Sequence, residues 1–131
     1  MYQLHGWITL LDSTFESDFD NLDSIIQELH GLINKARWTT MSVEVRPLNG
    51  TYHLFVGINA NRRRDEARLA DEILQFVAHR LPGSYGILYD RDDERSDPPG
   101  PNAFRVRIIR RGQIAQESDN FLSPCQPLIE D

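Results

Sequence analysis

The sequence lacks most of the residue patterns that identify enzymes and metalloproteins. Cys125 is the only cysteine among 131 residues, so a disulfide framework within the chain and a cysteine-based zinc site are both excluded. The four histidines show neither HxH nor HxxxH spacing, and they lie at positions 5, 30, 53 and 79. There is no Gly-x-Ser-x-Gly motif and no glycine-rich phosphate loop. We therefore expect no catalytic residues, no metal and no cofactor.

Long apolar runs and an excess of basic charge are also missing. No segment approaches the roughly 20 apolar residues that span a bilayer, and no basic segment followed by an apolar run marks a signal peptide. The net charge of −6 disfavours general nucleic-acid binding and favours a basic partner. With a lone cysteine and 40% hydrophobic residues, we expect a cytoplasmic protein that forms one domain over residues 1–131.

Hydrophobic periodicity predicts five strands and two helices. The predicted strands are Tyr2–Leu11, Met41–Arg46, Thr51–Asn59, Tyr85–Asp90 and Phe104–Arg111, and the helices are Leu22–Ala36 and Asp65–Leu81. The first six elements have the ferredoxin-like order β-α-β-β-α-β, an α+β fold with an antiparallel sheet and two helices on one face. The extra C-terminal strand is expected at an edge beside the fourth strand. The apolar tail Phe121–Ile129, with two prolines, is expected to pack as an extended segment.

An acidic cluster follows the fourth strand without a spacer. It places four carboxylates in five positions, and they are Asp90, Asp92, Asp93 and Glu94. Carboxylates so close repel one another, so their grouping indicates either a metal or catalytic cluster or an acidic surface that contacts a partner. A calcium loop is disfavoured because its sixth position is Arg95 rather than Gly and its twelfth is Pro101 rather than Glu. An acidic docking surface and a solvated hairpin end remain as alternatives.

The sheet face opposite the helices is a second candidate site. If the first and third strands are neighbours, His5 and His53 share this face, and Trp7 and Phe55 join them. A small apolar pocket covered by the tail explains these residues as well as a binding site does. Cys125, which lies between two prolines in the tail, is expected to be buried rather than reactive.

The same element order is compatible with an RNA-recognition-like module, which stacks bases on aromatics of neighbouring strands. Against it, Tyr52–Gly57 does not match the basic-Gly-aromatic pattern of that fold's third strand, and the chain is acidic. The last predicted strand contributes a basic stripe, expected to be a solvated edge, of Arg105, Arg107, Arg110 and Arg111. A small-molecule-sensing regulatory domain is a third class, for which the sequence has no ligand motif.

Four sequence blocks lie in one order from end to end of the chain. They are His5–Leu10, Gly83–Glu94, Asn102–Val106 running to Arg110-Arg111-Gly112, and Phe121–Pro127. Together they resemble the immunity protein 7 family of bacterial polymorphic toxin systems. The second block is the most specific, because it joins Gly-Ser-Tyr-Gly to Asp-Arg-Asp-Asp-Glu through one short strand. The resemblance implies a non-enzymatic, cytoplasmic protein that binds and neutralises a toxin made by its own or neighbouring cells.

The residues and the resemblance together suggest an immunity protein that binds a cognate toxin domain through an acidic surface. The hypothetical toxin-binding residues are Asp90, Asp92, Asp93, Glu94, Trp7 and Phe55. The carboxylates would speed association with a basic partner, and the aromatics would slow dissociation. A nuclease is the toxin class that the charge favours, because a domain that binds phosphate backbones is basic. We expect neither a nucleic-acid nor a membrane partner.

Overall fold

The computed structural model describes residues 1–13 and 19–125, with residues 19 and 20 described by their backbone alone. Within these residues the elements are β1 (Tyr2–Leu10), α1 (Phe19–Ile33), β2 (Met41–Leu48), β3 (Thr51–Ala60), α2 (Asp65–Arg80), β4 (Tyr85–Asp92), β5 (Arg105–Arg110) and β6 (Gln113–Ser118). The strands form one antiparallel sheet in the order β2-β3-β1-β4-β5-β6. The predicted α+β class and ferredoxin-like order are confirmed. Neither described helix is long and apolar enough to cross a membrane.

Two strands extend the sheet beyond β4. β5 pairs with β4 as predicted, but β6 rather than β5 occupies the edge. Arg111 and Gly112, with φ of 51° and 72°, reverse the chain between β5 and β6 in two residues. The sequence did not predict β6, because Ile114 is the only residue of this strand that is not exposed. A strand with one apolar contact shows no alternation that a sequence could reveal.

The core lies between the sheet and the two helices. Alternate residues of the central strands point into it, and they are Tyr2, Leu4, Ile8 and Leu10 of β1 and Leu54, Val56, Ile58 and Ala60 of β3. The helices cover them with residues at helical spacing, which are Leu22, Ile25, Ile26, Leu29 and Ile33 of α1 and Leu69, Ile73, Leu74 and Val77 of α2. The residues that alternate with the core, Trp7 and Phe55 among them, therefore lie on the face away from both helices.

The C-terminal tail is described as far as Cys125, so the extended segment predicted for residues 126–129 lies outside the described residues. Asp119 is buried and accepts a hydrogen bond from the Ser123 hydroxyl at 2.8 Å. Ser123 Oγ in turn accepts the N–H of Phe104 at 2.8 Å, which ties the tail to the start of β5. Cys125 is half-buried, so the predicted burial of its side chain is only partial.

Glycines on β1 and β4 allow the two strands to pair closely beneath the core. Gly86 lies opposite Ile8 in the register. A Cβ atom added to Gly86 would lie 2.1 Å from the carbonyl oxygen of Trp7 and 2.6 Å from the Cα of Ile8. Both neighbours are backbone atoms, so the strands must separate to admit a methyl group.

We predict that Gly86→Ala lowers the free energy of unfolding by at least about 2 kcal/mol, because the added methyl overpacks a backbone contact. Gly31→Ala is the matched control, since nothing lies within 4 Å of a Cβ at this helical glycine. It should instead stabilise the protein by about 0.5–1 kcal/mol. Urea unfolding followed by circular dichroism measures both, and a Gly86→Ala variant as stable as the parent would contradict the close approach.

Candidate functional site

The pairing of β1 with β3 brings the predicted aromatic and histidine residues onto one face. Trp7 lies directly opposite Phe55 in the register, and Thr9 lies opposite His53. His53 stacks on Phe55 with ring centroids 6.3 Å apart, and its Nδ1 is 3.2 Å from the Thr9 hydroxyl oxygen. His5 occupies the same face two residues before Trp7. The prediction that these side chains share the face is confirmed.

β4 adds two tyrosines to this face that the sequence analysis did not single out. Tyr85 meets Trp7 edge to face, with ring centroids 6.4 Å apart, and Tyr89 lies opposite His5 in the register. Trp7 is 43% exposed and Tyr85 is 49% exposed, so the aromatic row is open to solvent. The alternation of Tyr85, Ile87 and Tyr89 with smaller or buried residues is the sequence signal that places the two tyrosines on one face.

A hollow of about 520 Å³ lies in the middle of the open face. Its floor includes Gly57, which lies opposite His5 and Ser42 and leaves space where another residue would place a side chain. Its walls include Trp7, Ser42, Glu44, Phe55, Ile87 and Tyr89. Glu44 is the only carboxylate in the lining, and it makes no ion pair with another residue that the structure describes. The described tail residues take no part in the lining.

Asp90 does not belong to an exposed acidic surface. It is 1% exposed and faces the helices, because the alternation of β4 turns its side chain to the same side as Leu88. Arg105 chelates it, with Nε 2.9 Å from Oδ1 and Nη2 2.5 Å from Oδ2. Tyr2 donates its hydroxyl to Oδ2 at 3.2 Å, and Nη2 of Arg95 lies 3.5 Å from Oδ1. The burial of Asp90 removes it from the docking residues that the sequence suggested.

The environment of Asp90 fixes the protonation of its partners. Burial, together with the neighbouring carboxylate of Asp90, raises the pKa of the Tyr2 phenol well above its usual value. Burial alone would lower the pKa of the Arg105 guanidinium, but the hydrogen bonds and charge of Asp90 outweigh it and raise that pKa. Tyr2 therefore remains a hydrogen-bond donor, and Arg105 remains charged, across the physiological pH range.

The other three acidic residues lie at the surface where β4 ends. The Met1 ammonium contacts Oδ1 of Asp93 at 2.5 Å, and Nε of Arg62 lies 3.5 Å from Oε1 of Glu94. The side chains of Asp93 and Glu94 are still 43% and 57% exposed, and exposed pairs of this kind contribute little. Asp92 accepts the backbone N–H of Glu94 at 3.0 Å, which shapes the turn. Nowhere in the described residues are three His, Cys, Asp or Glu side chains grouped to hold a metal.

Only half of the basic stripe faces solvent as predicted, because Arg110 and Arg111 are exposed and the other two arginines are not. Arg105 and Arg107 lie on the helix-covered side, where Nη1 of Arg107 is 2.7 Å from Oδ1 of Asp71 on α2. The prediction was wrong for these two residues because the buried Asp90 and the half-buried Asp71 lie on that side and attract the guanidinium groups. Arg110, opposite Tyr85, lies on the open face and is exposed.

The immunity protein 7 family model matches residues 1–131 of the chain. No curated protein and no solved structure matches the chain. The matched range includes the open face with its hollow, the buried Asp90 cluster and the acidic turn at residues 92–94. The candidate residues are thus all part of the region that the family model describes.

We predict that Asp90→Asn lowers the free energy of unfolding by about 3–5 kcal/mol, because it leaves a buried guanidinium without its counter-charge. Glu28→Gln is the matched control. Arg80 also chelates Glu28, at 3.3 and 2.6 Å, but the Glu28 side chain is 50% exposed, so the loss should stay within about 1 kcal/mol. If urea unfolding showed the same loss of unfolding free energy for the two variants, burial would not be the reason that Asp90 stabilises the protein.

Proposed function

The chain belongs to the immunity protein 7 family of toxin-neutralising proteins, and we propose that it binds its toxin with the open face of the sheet. The observation that carries this proposal is the aromatic row on the open face, where Trp7 and Tyr85 are exposed and the half-buried Phe55 and Tyr89 line the hollow with Trp7. Immunity proteins are generally non-enzymatic, so neutralisation follows from occupying a surface that the toxin needs. The cytoplasm is the compartment in which we place the encounter.

Trp7 and Phe55 form the centre of the proposed contact. They lie opposite each other on β1 and β3, and Tyr85 packs edge-on against Trp7. Exposed apolar patches of this kind mark interaction surfaces, and aromatic side chains that become buried at the centre of an interface dominate its binding energy. The hollow around Gly57 gives a side chain of the partner a place to insert beside Trp7 and Phe55.

Carboxylates around the face make a basic toxin the expected partner. Glu44 stands in the wall of the hollow, and the turn at the end of β4 carries the half-buried Asp92 and the exposed Asp93 and Glu94. Tyr89, at the hollow, precedes Asp92 by three residues, which is about 10 Å along a strand. Carboxylates at the rim of an aromatic patch attract a basic partner during encounter and exclude an acidic one.

A nuclease is the toxin class that this surface suits best. Domains that cleave nucleic acids carry basic surfaces for the phosphate backbone. An inhibitor with net charge −6, with carboxylates beside its aromatic side chains, presents to that surface the negative charge and the aromatic rings that a nucleic acid would present. The proposal therefore predicts competition between this protein and nucleic acid for the toxin, rather than binding of nucleic acid to this protein.

The second candidate function is single-stranded RNA binding. It is favoured by one specific observation, namely that Trp7 and Phe55 lie on adjacent inner strands, on the face of the ferredoxin-like sheet away from the helices. The charges oppose it, because the chain carries −6, Glu44 stands in the hollow, and Arg105 and Arg107 lie on the other side. The basic residues that the strand registers leave on the open face are Arg46, Arg91 and Arg110. A stacked base brings its phosphate backbone to the same surface, so a carboxylate there disfavours RNA binding.

For the cognate toxin, we predict that Trp7→Ala raises the dissociation rate at least about tenfold, because it removes a central aromatic contact. Trp38→Ala is the matched control, since Trp38 is 36% exposed but does not line the hollow. Surface binding kinetics with a thermal melt for each variant measure the effect. A folded Trp7→Ala variant that binds and protects like the parent would remove the open face from the interface.

Reversing the charge of the acidic turn should change the association rate rather than the dissociation rate. We predict that the triple variant Asp92→Lys, Asp93→Lys and Glu94→Lys keeps its fold but associates more slowly with a basic toxin, and that added salt reduces the difference. The measurement is the association rate at two salt concentrations. Unchanged association by a well-folded triple variant would limit the contact to the aromatic face.

The RNA alternative is tested on the same protein without a toxin. Because of the negative charge, we predict no measurable binding to generic single-stranded RNA at physiological salt in fluorescence anisotropy. Micromolar binding that weakens as salt rises, and that is lost in Trp7→Ala, would favour the RNA-binding function over toxin neutralisation at this face.

A further inference from the structure

A cluster of arginines lies on the other side of the sheet, between α2 and the β5–β6 hairpin. Its four guanidinium groups contact two carboxylates: Arg95 and Arg105 contact Asp90, and Arg63 and Arg107 contact Asp71. Four positive and two negative groups give the cluster a net charge of +2. This is an unexpected local excess of positive charge, because the whole chain carries −6.

Two neighbouring arginines of β5 use their guanidinium groups differently. Arg105 directs the paired Nε–H and Nη2–H groups at the two oxygens of Asp90. Arg107 contacts Asp71 through Nη1 alone, and its buried Nε and Nη2 have no hydrogen-bond partner among the described residues. These two nitrogens form the edge of a guanidinium that fits two oxygens of an oxyanion. Burying them unpaired is unfavourable, so an acceptor at this edge would stabilise the fold.

Arg107 lines a cavity of about 260 Å³. Its polar lining consists of Arg63, Asp71, Gln75, Arg105, Arg107 and Gln116. Gln75 on α2 and Gln116 on β6 are exposed, whereas the Arg107 side chain is only 11% exposed. The cavity therefore has exposed amide side chains toward solvent and a largely buried guanidinium in its lining.

We propose that this cavity binds an inorganic phosphate dianion. Two phosphate oxygens accept the Nε–H and Nη2–H of Arg107, after a rotation of the Gln75 or Gln116 side chain admits the anion. The amides of the same glutamines are donors for the remaining oxygens. A dianion fits better than a carboxylate because its charge balances the net +2 of the cluster. The site lies on the helix side of the sheet, so it is independent of toxin binding at the open face.

The test uses the full chain and inorganic phosphate at neutral pH, with sodium chloride added to keep the ionic strength constant. Isothermal titration calorimetry should show one saturable phosphate per chain, and the melting temperature should rise with phosphate concentration. Acetate at matched ionic strength should give neither effect. The proposal is wrong if phosphate behaves like chloride, or if acetate binds as well as phosphate.

Two variants locate the site. Arg107→Lys keeps a positive charge beside Asp71 but loses the paired N–H edge, so the phosphate dissociation constant should rise at least about tenfold. Gln116→Glu places a carboxylate at the exposed mouth, which should weaken phosphate binding with little effect on the fold. Arg68→Lys is the matched control, because Arg68 pairs with Asp65 at 3.2 Å in an exposed position outside the cavity. Phosphate binding that stays at the parent level in a folded Gln116→Glu variant and in Arg107→Lys would overturn the assignment.

Discussion

The buried ion pair between Asp90 and Arg105 is the constraint on which the sheet beyond β4 depends. A carboxylate that is 1% exposed requires a guanidinium at this place, so Arg105 must point toward the helices. This requirement fixes the register of β5 against β4, because a shift by one residue would turn Arg105 to the open face. With β5 fixed, β6 adds to it through the two-residue turn at Arg111 and Gly112.

The same constraint turns a second arginine of β5 toward the helices. Arg105 and Arg107 are two residues apart on one strand, so the inward direction of the first also turns the second inward, where Asp71 receives it. Of the β5 arginines only Arg110 therefore lies on the open face, where the strand alternation also places Arg46 and Arg91. An interaction inside the protein thus removes two guanidinium groups from the open face and lowers its positive charge.

The sequence was sufficient for elements that local patterns determine. The alternation of β1 and β3 and the Asn49-Gly50 turn, with φ of 51° and 81°, placed Trp7 and Phe55 on one face correctly. It was insufficient where the partner is distant along the chain. Asp90 and its neighbours form one acidic run in the sequence, and the residue that neutralises Asp90 follows 15 positions later. Solvated and buried charges have the same local pattern, so the predicted direction of Arg105 was wrong.

β4 therefore combines two roles that a functional assay alone would not separate. Its inward residues, Leu88 and Asp90, hold the core and β5, whereas Tyr89 faces the hollow and the turn after Asp92 is exposed. Domains of this size are stable by only about 5–15 kcal/mol, so the loss of one buried pair removes a large part of that margin. A cell that loses protection has then lost either the folded protein or its contact with the toxin. Only variants of the outward residues, measured as folded protein, report on the contact itself.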